Sequence, residues 1–428
     1  MIYVCLILLL AFIALALPMA AVLGVLGFSL AWLYSPLPLE RAFASTVWEH
    51  SIDFSLAAIP LFVLMGEILL RSKIADRMYG AIANWISWLP GGLMHANIGA
   101  SAGFAATSGS SVATAATIGT VSIPQIRRRG YNERLFLGSM AAGGTLGILI
   151  PPSTNMIVYG SLTNTSIPKL FLAGIVPGIL LALLFSLVIL IACVIKPAWD
   201  GKSVDVGWHQ RWVSLQDLLA PLVIFILVIG SIYAGWATPT EAAAIGVVCA
   251  LAIAAVSGRL NLEMLRDSME GTVRTSCMML MILTISYFLN FVFASIGVVR
   301  LVNDALLGLG LGPVATIFIV IGIYIVLGMF METLAMVVLT VPIMTPIAVN
   351  LGFDPVWFGI VIVLVSEMAL LTPPIGMLGF VIQGLRTDGE LKDVFIGVIP
   401  FLFMIFLMIG LLIFFPGLAL WVPDNLSN

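Results

Sequence analysis

The sequence predicts an all-α polytopic membrane protein made of two inverted-topology repeats, each with a re-entrant helical hairpin and a discontinuous helix. Three observations lead there. Charge is scarce along the whole chain, unusual residues recur at a fixed offset, and glycine or proline interrupts apolar segments at matching places in both halves.

The scarcity of charge fixes the solvent. Of 428 residues, 61% are apolar, and the charged ones are only 18 Lys and Arg and 21 Asp and Glu, 9% of the chain. A soluble protein is roughly one quarter charged, so this chain cannot coat globular domains with a solvated surface. A crossing of a ~30 Å hydrocarbon core takes about 20 apolar residues, and this composition suffices for on the order of ten to thirteen. The net charge of −3, with basic residues in short loops lacking aromatics, excludes a nucleic-acid partner. Cys5, Cys193, Cys249 and Cys277 stand singly in apolar runs, without the spacing of a disulfide frame or metal site. His50, His95 and His209 lack zinc-hydrolase spacing and no Ser/His/Asp set is visible, so enzymatic activity is not expected. The apolar run begins at Ile2 with no Lys or Arg before it, and reads as a first membrane segment rather than a cleavable signal.

The repeat has an offset of about 222 residues. Pro124 falls on Pro346, Gly130-Tyr131-Asn132 on Gly352-Phe353-Asp354, and Pro151-Pro152 on Pro373-Pro374; at 223, Pro90 meets Pro313 and Pro177 meets Pro400. The halves are residues 1–200 and 212–428, joined by a cytoplasmic linker at 201–211 within the polar stretch 196–212. Orientation follows from charge. Arg127, Arg128, Arg129 and Arg134 follow Pro124, whereas the loop after Pro346 carries only Asp354, and residues 301–385 hold no Lys or Arg. By the positive-inside rule the first loop is cytoplasmic and its partner external, so the repeats are inverted. Arg71, Lys73 and Arg77 mark another inside loop, as do Arg259 and Arg274, and Arg386 and Lys392. Lys169 is the mild exception.

Taken in order, residues 1–34 form one tilted span or two short ones broken at Pro18, and their likeness to the segment around Pro239 favours two. Between the inside loops at 71–77 and 127–134 lie 49 uncharged residues, of which 20 of the 24 at 99–122 are Gly, Ala, Ser or Thr. Small residues permit close helix packing, and Ser-Gly-Ser-Ser suits irregular backbone buried in protein. This is the first hairpin, about 97–126, with its tip near Ser108 to Ser111; two close-packed full spans are the other reading. The next segment, about 135–168, contains Gly143-Gly144, Pro151-Pro152 and Ser153-Thr154-Asn155. Consecutive prolines open a helix and free its carbonyls, which then need a partner. The second half repeats the pattern with a hairpin at about 321–350 and a helix at about 355–385 broken at Thr372-Pro373-Pro374-Ile375-Gly376. Paired interruptions of this kind point to a transporter's midplane binding site.

Several residues at the interruptions could carry chemistry. Glu332 is an acid inside an apolar run and the repeat partner of Ser110, and an ionisable group in a membrane segment is costly enough to suggest function. Glu367 lies near the second break and pairs with Thr145 in the repeat. Glu67, four residues before Arg71, reads as a helix-end ion pair; Trp32, Trp85, Trp88 and Trp421 read as interfacial anchors. Ser108, Ser110, Ser153, Thr372 and the tip backbones offer neutral oxygens suited to a hard alkali cation. No Lys or Arg stands in either interrupted region, so an anion would be held by half-helix N-termini.

At these residues the chain resembles the large membrane subunit of TRAP (tripartite ATP-independent periplasmic) transporters. The resemblance is carried by TSGSSVATAATIG (107–119), TLGILIPPS (145–153), GMFME (328–332), GFDPVWFG (352–359) and LLTPPIGM (370–377), in the family's order, and it covers essentially the whole chain. It implies Na+-coupled secondary uptake of a small organic acid, such as a C4-dicarboxylate or sialic acid, across a bacterial inner membrane. It also implies an elevator-type scaffold and transport domain, a periplasmic substrate-binding protein, and a separate small four-helix membrane subunit. Ser110, Ser153, Asn155 and Glu332 are then expected at the substrate. Na+, at two or more sites, is expected among Ser108, Gly109, Ser110, Gly147, Pro151, Met331, Glu332, Thr333, Thr372, Pro373 and Gly376. The family often has Asp where this chain has Glu332. The alternatives are a self-sufficient carboxylate carrier of similar fold and, less in keeping with polar residues clustered at two breaks, a channel.

Overall fold

A computed structural model describes residues 1–202 and 206–426. Among the described residues every regular element is a helix. The first half runs α1 (Ile2–Ala14), α2 (Met19–Tyr34), α3 (Phe43–Ser51), α4 (Ala58–Arg71), α5 (Ile74–Ile86), α6 (Gly92–Ser108), α7 (Ser111–Arg129), α8 (Glu133–Leu149), α9 (Thr154–Thr163) and α10 (Ile167–Ile195). The second runs α11 (Trp208–Ser214), α12 (Gln216–Tyr233), α13 (Pro239–Val256), α14 (Leu262–Ile296), α15 (Val298–Leu307), α16 (Pro313–Gly328), α17 (Thr333–Asn350), α18 (Pro355–Leu371), α19 (Met377–Gly384), α20 (Leu391–Phe414) and α21 (Gly417–Leu426). Among the described residues, eight helical segments are long and apolar enough to cross a membrane.

Residues 1–34 form two helices. Ala16 takes φ +54° and Pro18 opens α2, because proline fits the start of a helix and cannot continue one. The motif that reveals the repeat has a mechanical basis. Gly130 and Gly352 adopt φ of +73° and +90°, which turns the chain after α7 and α17. Asn132 then caps α8 by accepting from the Leu135 N–H at 3.0 Å, and Asp354 caps α18 by accepting from Val356 at 2.7 Å and Trp357 at 3.2 Å. Of the linker expected at 201–211, residues 203–205 lie outside the described residues, and α11 begins at Trp208 within it. Its start packs on the arginine loop, where the Lys202 N–H donates to the Arg129 carbonyl at 2.8 Å.

Two sets of helices emerge from the packing. α14 lies against α2 and α4, and α13 against α4 and α12. α8 is enclosed by α6, α7, α10 and α20, while α18 packs on α16, α17 and α20. At the α8–α20 crossing a Cβ on Gly138 would collide with the Gly397 carbonyl, and one on Gly397 with the Arg134 carbonyl one turn earlier on α8. Exposed apolar rows such as Ile179, Leu183, Leu187 and Ile191 on α10 recur every four residues, a face for lipid.

The cytoplasmic side expected from the arginines carries ion pairs that join the halves: Arg127 with Asp388, Arg134 with Asp393 at 2.9 Å, and Arg386 with Glu133 at 2.6 Å. The Arg127 guanidinium holds the Asp388 carboxyl below its ordinary range. Glu67 pairs with Arg71 at 3.2 Å, and Arg71 also reaches Asp267 at 3.4 Å. Trp32, Trp88 and Trp421 are exposed, while Trp85 is half-buried and donates to the Arg211 carbonyl at 2.9 Å. At the opposite end Lys169, Asn350 and Asp354 line a cavity of about 760 Å³, and Arg300 and Asn350 line a neighbouring one of about 750 Å³. Lys169 is therefore joined there by a second cation, Arg300, which the charge reading overlooks.

Candidate functional site

α6 stops at Ser108 and α7 starts at Ser111, so Gly109 and Ser110 make the first hairpin's turn. Gly109 has φ +61°, and a Cβ there would come within 2.9 Å of the Pro152 carbonyl oxygen; glycine lets the tip rest on the first break. The Ser110 hydroxyl caps α7 by accepting from the Ala113 N–H at 3.3 Å. Its carbonyl accepts from Thr114 Oγ1 at 2.7 Å, and Thr114 Oγ1 lies 3.0 Å from Ser108 Oγ. From α8, Gly147 closes on the same turn: a Cβ there would lie 2.7 Å from the Ser110 carbonyl oxygen.

The first break follows directly. α8 ends at Leu149, Pro151 and Pro152 cannot extend it, and α9 restarts with Ser153 Oγ accepting from the Met156 N–H at 3.4 Å. Thr154 Oγ1 donates to the Gly109 carbonyl at 3.2 Å and ties break to tip. Residues 151–155 are all buried. Ser108, Gly109, Ser110, Gly147, Pro151 and Ser153 thus form one contiguous cluster. Asn155 is buried just inside α9 with its Nδ2 unpartnered.

The second hairpin turns through Met329, Phe330, Met331 and Glu332 between α16 and α17. Glu332 caps α17, its Oε2 accepting from the Ala335 N–H at 3.2 Å, where a carboxylate meets the positive end of the helix dipole. Met331 and Thr333 are buried and Glu332 half-buried. Gly328 sits against Ala369 of α18, so tightly that a Cβ would overlap it. α18 stops at Leu371, Thr372 Oγ1 donates to the Met368 carbonyl at 2.7 Å, and α19 restarts at Met377. Gly376 has φ +24° and faces Phe395 of α20. Here the backbone is open: Pro373, Pro374 and Ile375 are exposed. The Pro151-Pro152 and Pro373-Pro374 bonds are both cis.

Ser111 Oγ, one residue past the first tip, donates at 2.8 Å to Glu367 Oε2 on α18 and so links the two clusters. Thr114 is not singled out by the sequence, and Glu367, noted there near the second break, is not among the residues expected at substrate or Na+. For Glu367 the signal was available as an acid within an apolar span; Thr114 is an ordinary small residue among many. Four half-helices, α7, α9, α17 and α19, begin at the tips and breaks, and no Lys or Arg stands at either tip or either break; the arginines of α7 lie in its last turn, at the far end from the tip. Such an arrangement can hold a carboxylate by N–H groups and a cation by carbonyl and hydroxyl oxygens.

Residues 6–418 match the family model described as the tripartite ATP-independent periplasmic transporter, DctM component. A C4-dicarboxylate TRAP transporter large permease of Pseudomonas aeruginosa is 33% identical over 409 residues, covering 95% of this chain and 94% of that protein. A sialic acid TRAP transporter large permease of Vibrio cholerae is 31% identical, covering 89% of each. Among solved structures, the Alcanivorax borkumensis YdaH transporter aligns with a TM-score of 0.63 at 15% identity, covering 98% of both chains. Neisseria gonorrhoeae MtrF aligns with a TM-score of 0.51 at 12% identity, over 96% of this chain and 94% of that one. These two likenesses concern the fold.

Proposed function

The chain belongs to the DctM-component family of tripartite ATP-independent periplasmic transporters, and we propose that it moves a small organic acid inward with Na+ by an elevator-type cycle. It is thus a multi-pass inner-membrane permease subunit for secondary transport, not an enzyme. The substrate class of the proposal is a C4-dicarboxylate, sialic acid or similar carboxylate, in keeping with relatives named for those acids. Delivery by a periplasmic binding protein and assembly with a small four-helix membrane subunit complete it.

The observation that carries the reading is the pair of matched clusters, each made of a hairpin tip on a broken helix and lacking Lys and Arg. Without a fixed cation, the substrate carboxylate relies on the N-termini of α7, α9, α17 and α19. Ser108, Gly109, Ser110, Gly147 and Pro151, with Met331, Glu332, Thr333, Thr372, Pro373 and Gly376, are proposed as the environment of the coupling Na+. Ser110, Ser153, Asn155 and Glu332 are proposed at the substrate. A cation beside a bound carboxylate lowers the cost of burying either alone, and that mutual dependence is the coupling. In the elevator step the α6–α9 and α16–α20 helices carry the clusters past a scaffold containing α2, α4, α13 and α14.

The test is uptake of labelled acid into proteoliposomes containing this chain and its small subunit, with the binding protein outside. An inward Na+ gradient should drive accumulation, and omission of the binding protein should stop it. Glu332→Ala should abolish uptake with an unchanged melting temperature. Accumulation without Na+ would refute the coupling, and accumulation without binding protein would favour the self-sufficient carrier.

A further inference from the structure

Glu367 is the one acid with no solvent exposure among the buried residues described. It lies on α18 one turn before the second break, yet its hydrogen bond goes to the other repeat, to Ser111 at the first turn of α7. Its second oxygen, Oε1, is buried without a partner. The repeat-related position, Thr145 on α8, behaves differently: its hydroxyl donates at 2.6 Å to the Ala142 carbonyl of its own helix. The inverted fold therefore carries this tie on one side, from α18 to the first hairpin. A carboxyl group brought out of solvent to hold one hydroxyl is costly to keep where packing alone is needed.

We propose that Glu367 is a positioning residue that fixes the tip of the first hairpin against the second repeat. Its carboxyl group sits at the N-terminal end of α7 and accepts from the Ser111 hydroxyl. This holds Ser111 and the preceding Ser110 in register with Gly147 of α8, which approaches the Ser110 carbonyl and Ser111 Cα. Hairpin one is thereby clamped from both repeats, by α8 through close backbone contact and by α18 through the acid. Glu367 acts on the substrate and ion through this tip and does not touch them. The effect on transport rests on the proposed Na+ coupling; the effect on the tip does not.

Two readouts separate those claims. In a variant whose four native cysteines are replaced, Val112→Cys on α7, half-buried next to Ser111, reports tip opening by its rate of reaction with a water-soluble thiol reagent. The Na+ concentration for half-maximal uptake reports the coupled site. Glu367→Ala and Ser111→Ala should each speed labelling and raise that Na+ concentration roughly tenfold, the loss expected when one partner of a buried hydrogen bond is removed. The double variant should be no worse than either single one, since both remove the same bond. Glu367→Gln, whose amide oxygen accepts from Ser111, should restore both readouts. Folded Glu367→Ala and Ser111→Ala proteins that label at the parent rate would overturn the proposal, as would Glu367→Gln as defective as Glu367→Ala. Should Glu367→Ala fail to fold, Ser111→Ala carries the same decision. Faster labelling with uptake indifferent to Na+ in every variant would support the positioning role while removing the Na+ reading.

Discussion

The two helix breaks share one motif and two fates. Around Pro151-Pro152 the backbone is sealed: the first hairpin tip covers it, Thr154 is bonded to the tip, and Ser153 has 0% exposure. Around Pro373-Pro374 it is open, and Ile375, the position matching Ser153, is 42% exposed. Irregular backbone at membrane depth persists only where protein buries it or water reaches it, because lipid cannot satisfy freed carbonyls. By that rule the second break is expected to face water. Sequence symmetry gives two equivalent sites, and tertiary packing covers one and leaves the other exposed.

Substitutions at matched places should expose this difference. The largest effect belongs to Gly147→Val, whose Cβ alone would meet backbone of the first tip at 2.7 Å; we expect a loss of about 3 kcal/mol or more, seen as a fall in melting temperature and lost uptake. Ser153→Ile, which installs the second repeat's residue in filled space, should cost about 1–3 kcal/mol. Its reciprocal, Ile375→Ser, should change stability by no more than about 0.5 kcal/mol. Equal costs for that pair would show the two breaks to be alike. Smallest is Asp388→Asn, which removes an exposed ion pair with Arg127 and should leave the melting temperature nearly unmoved. The Asp388 carboxyl is held below its ordinary range, so any stability it adds is present above the unfolded-state pKa and lost as pH falls through the lowered one. The Asn variant should therefore lie slightly below the parent at neutral pH and converge on it as pH falls through the lowered pKa.

Much of this was legible in the residues themselves. The scarcity of charge gave the solvent, and the prolines at 151–152 and 373–374 gave the ends of α8 and α18, because proline's missing N–H is a local fact. The motif ending in Asn132 and Asp354 was visible as a repeat because it builds the same glycine turn and cap twice. What was not legible depends on packing between distant segments. No local pattern says that Ser111 meets Glu367 across 256 positions, or that Gly109 rests on Pro152. Nor does composition distinguish a buried Pro-Pro break from an exposed one, since the buried break is followed by the polar Ser153-Thr154-Asn155 and the exposed one by Ile375-Gly376-Met377, the reverse of what polarity suggests. Arg300 was missed as a second cation on the Lys169 side because it stands at the very edge of the charge-free stretch.

The inequality of the two breaks is tested most directly by single cysteines at the matched positions, Ser153→Cys and Ile375→Cys, in the protein freed of its native cysteines and held in lipid bilayers. Each is exposed to a charged, water-soluble thiol reagent, and the rate of modification is read by mass spectrometry. The cysteine at 375 should react and the one at 153 should stay unmodified over the same time. Equal rates, or a position 375 as silent as 153, would contradict an aqueous opening at the second break.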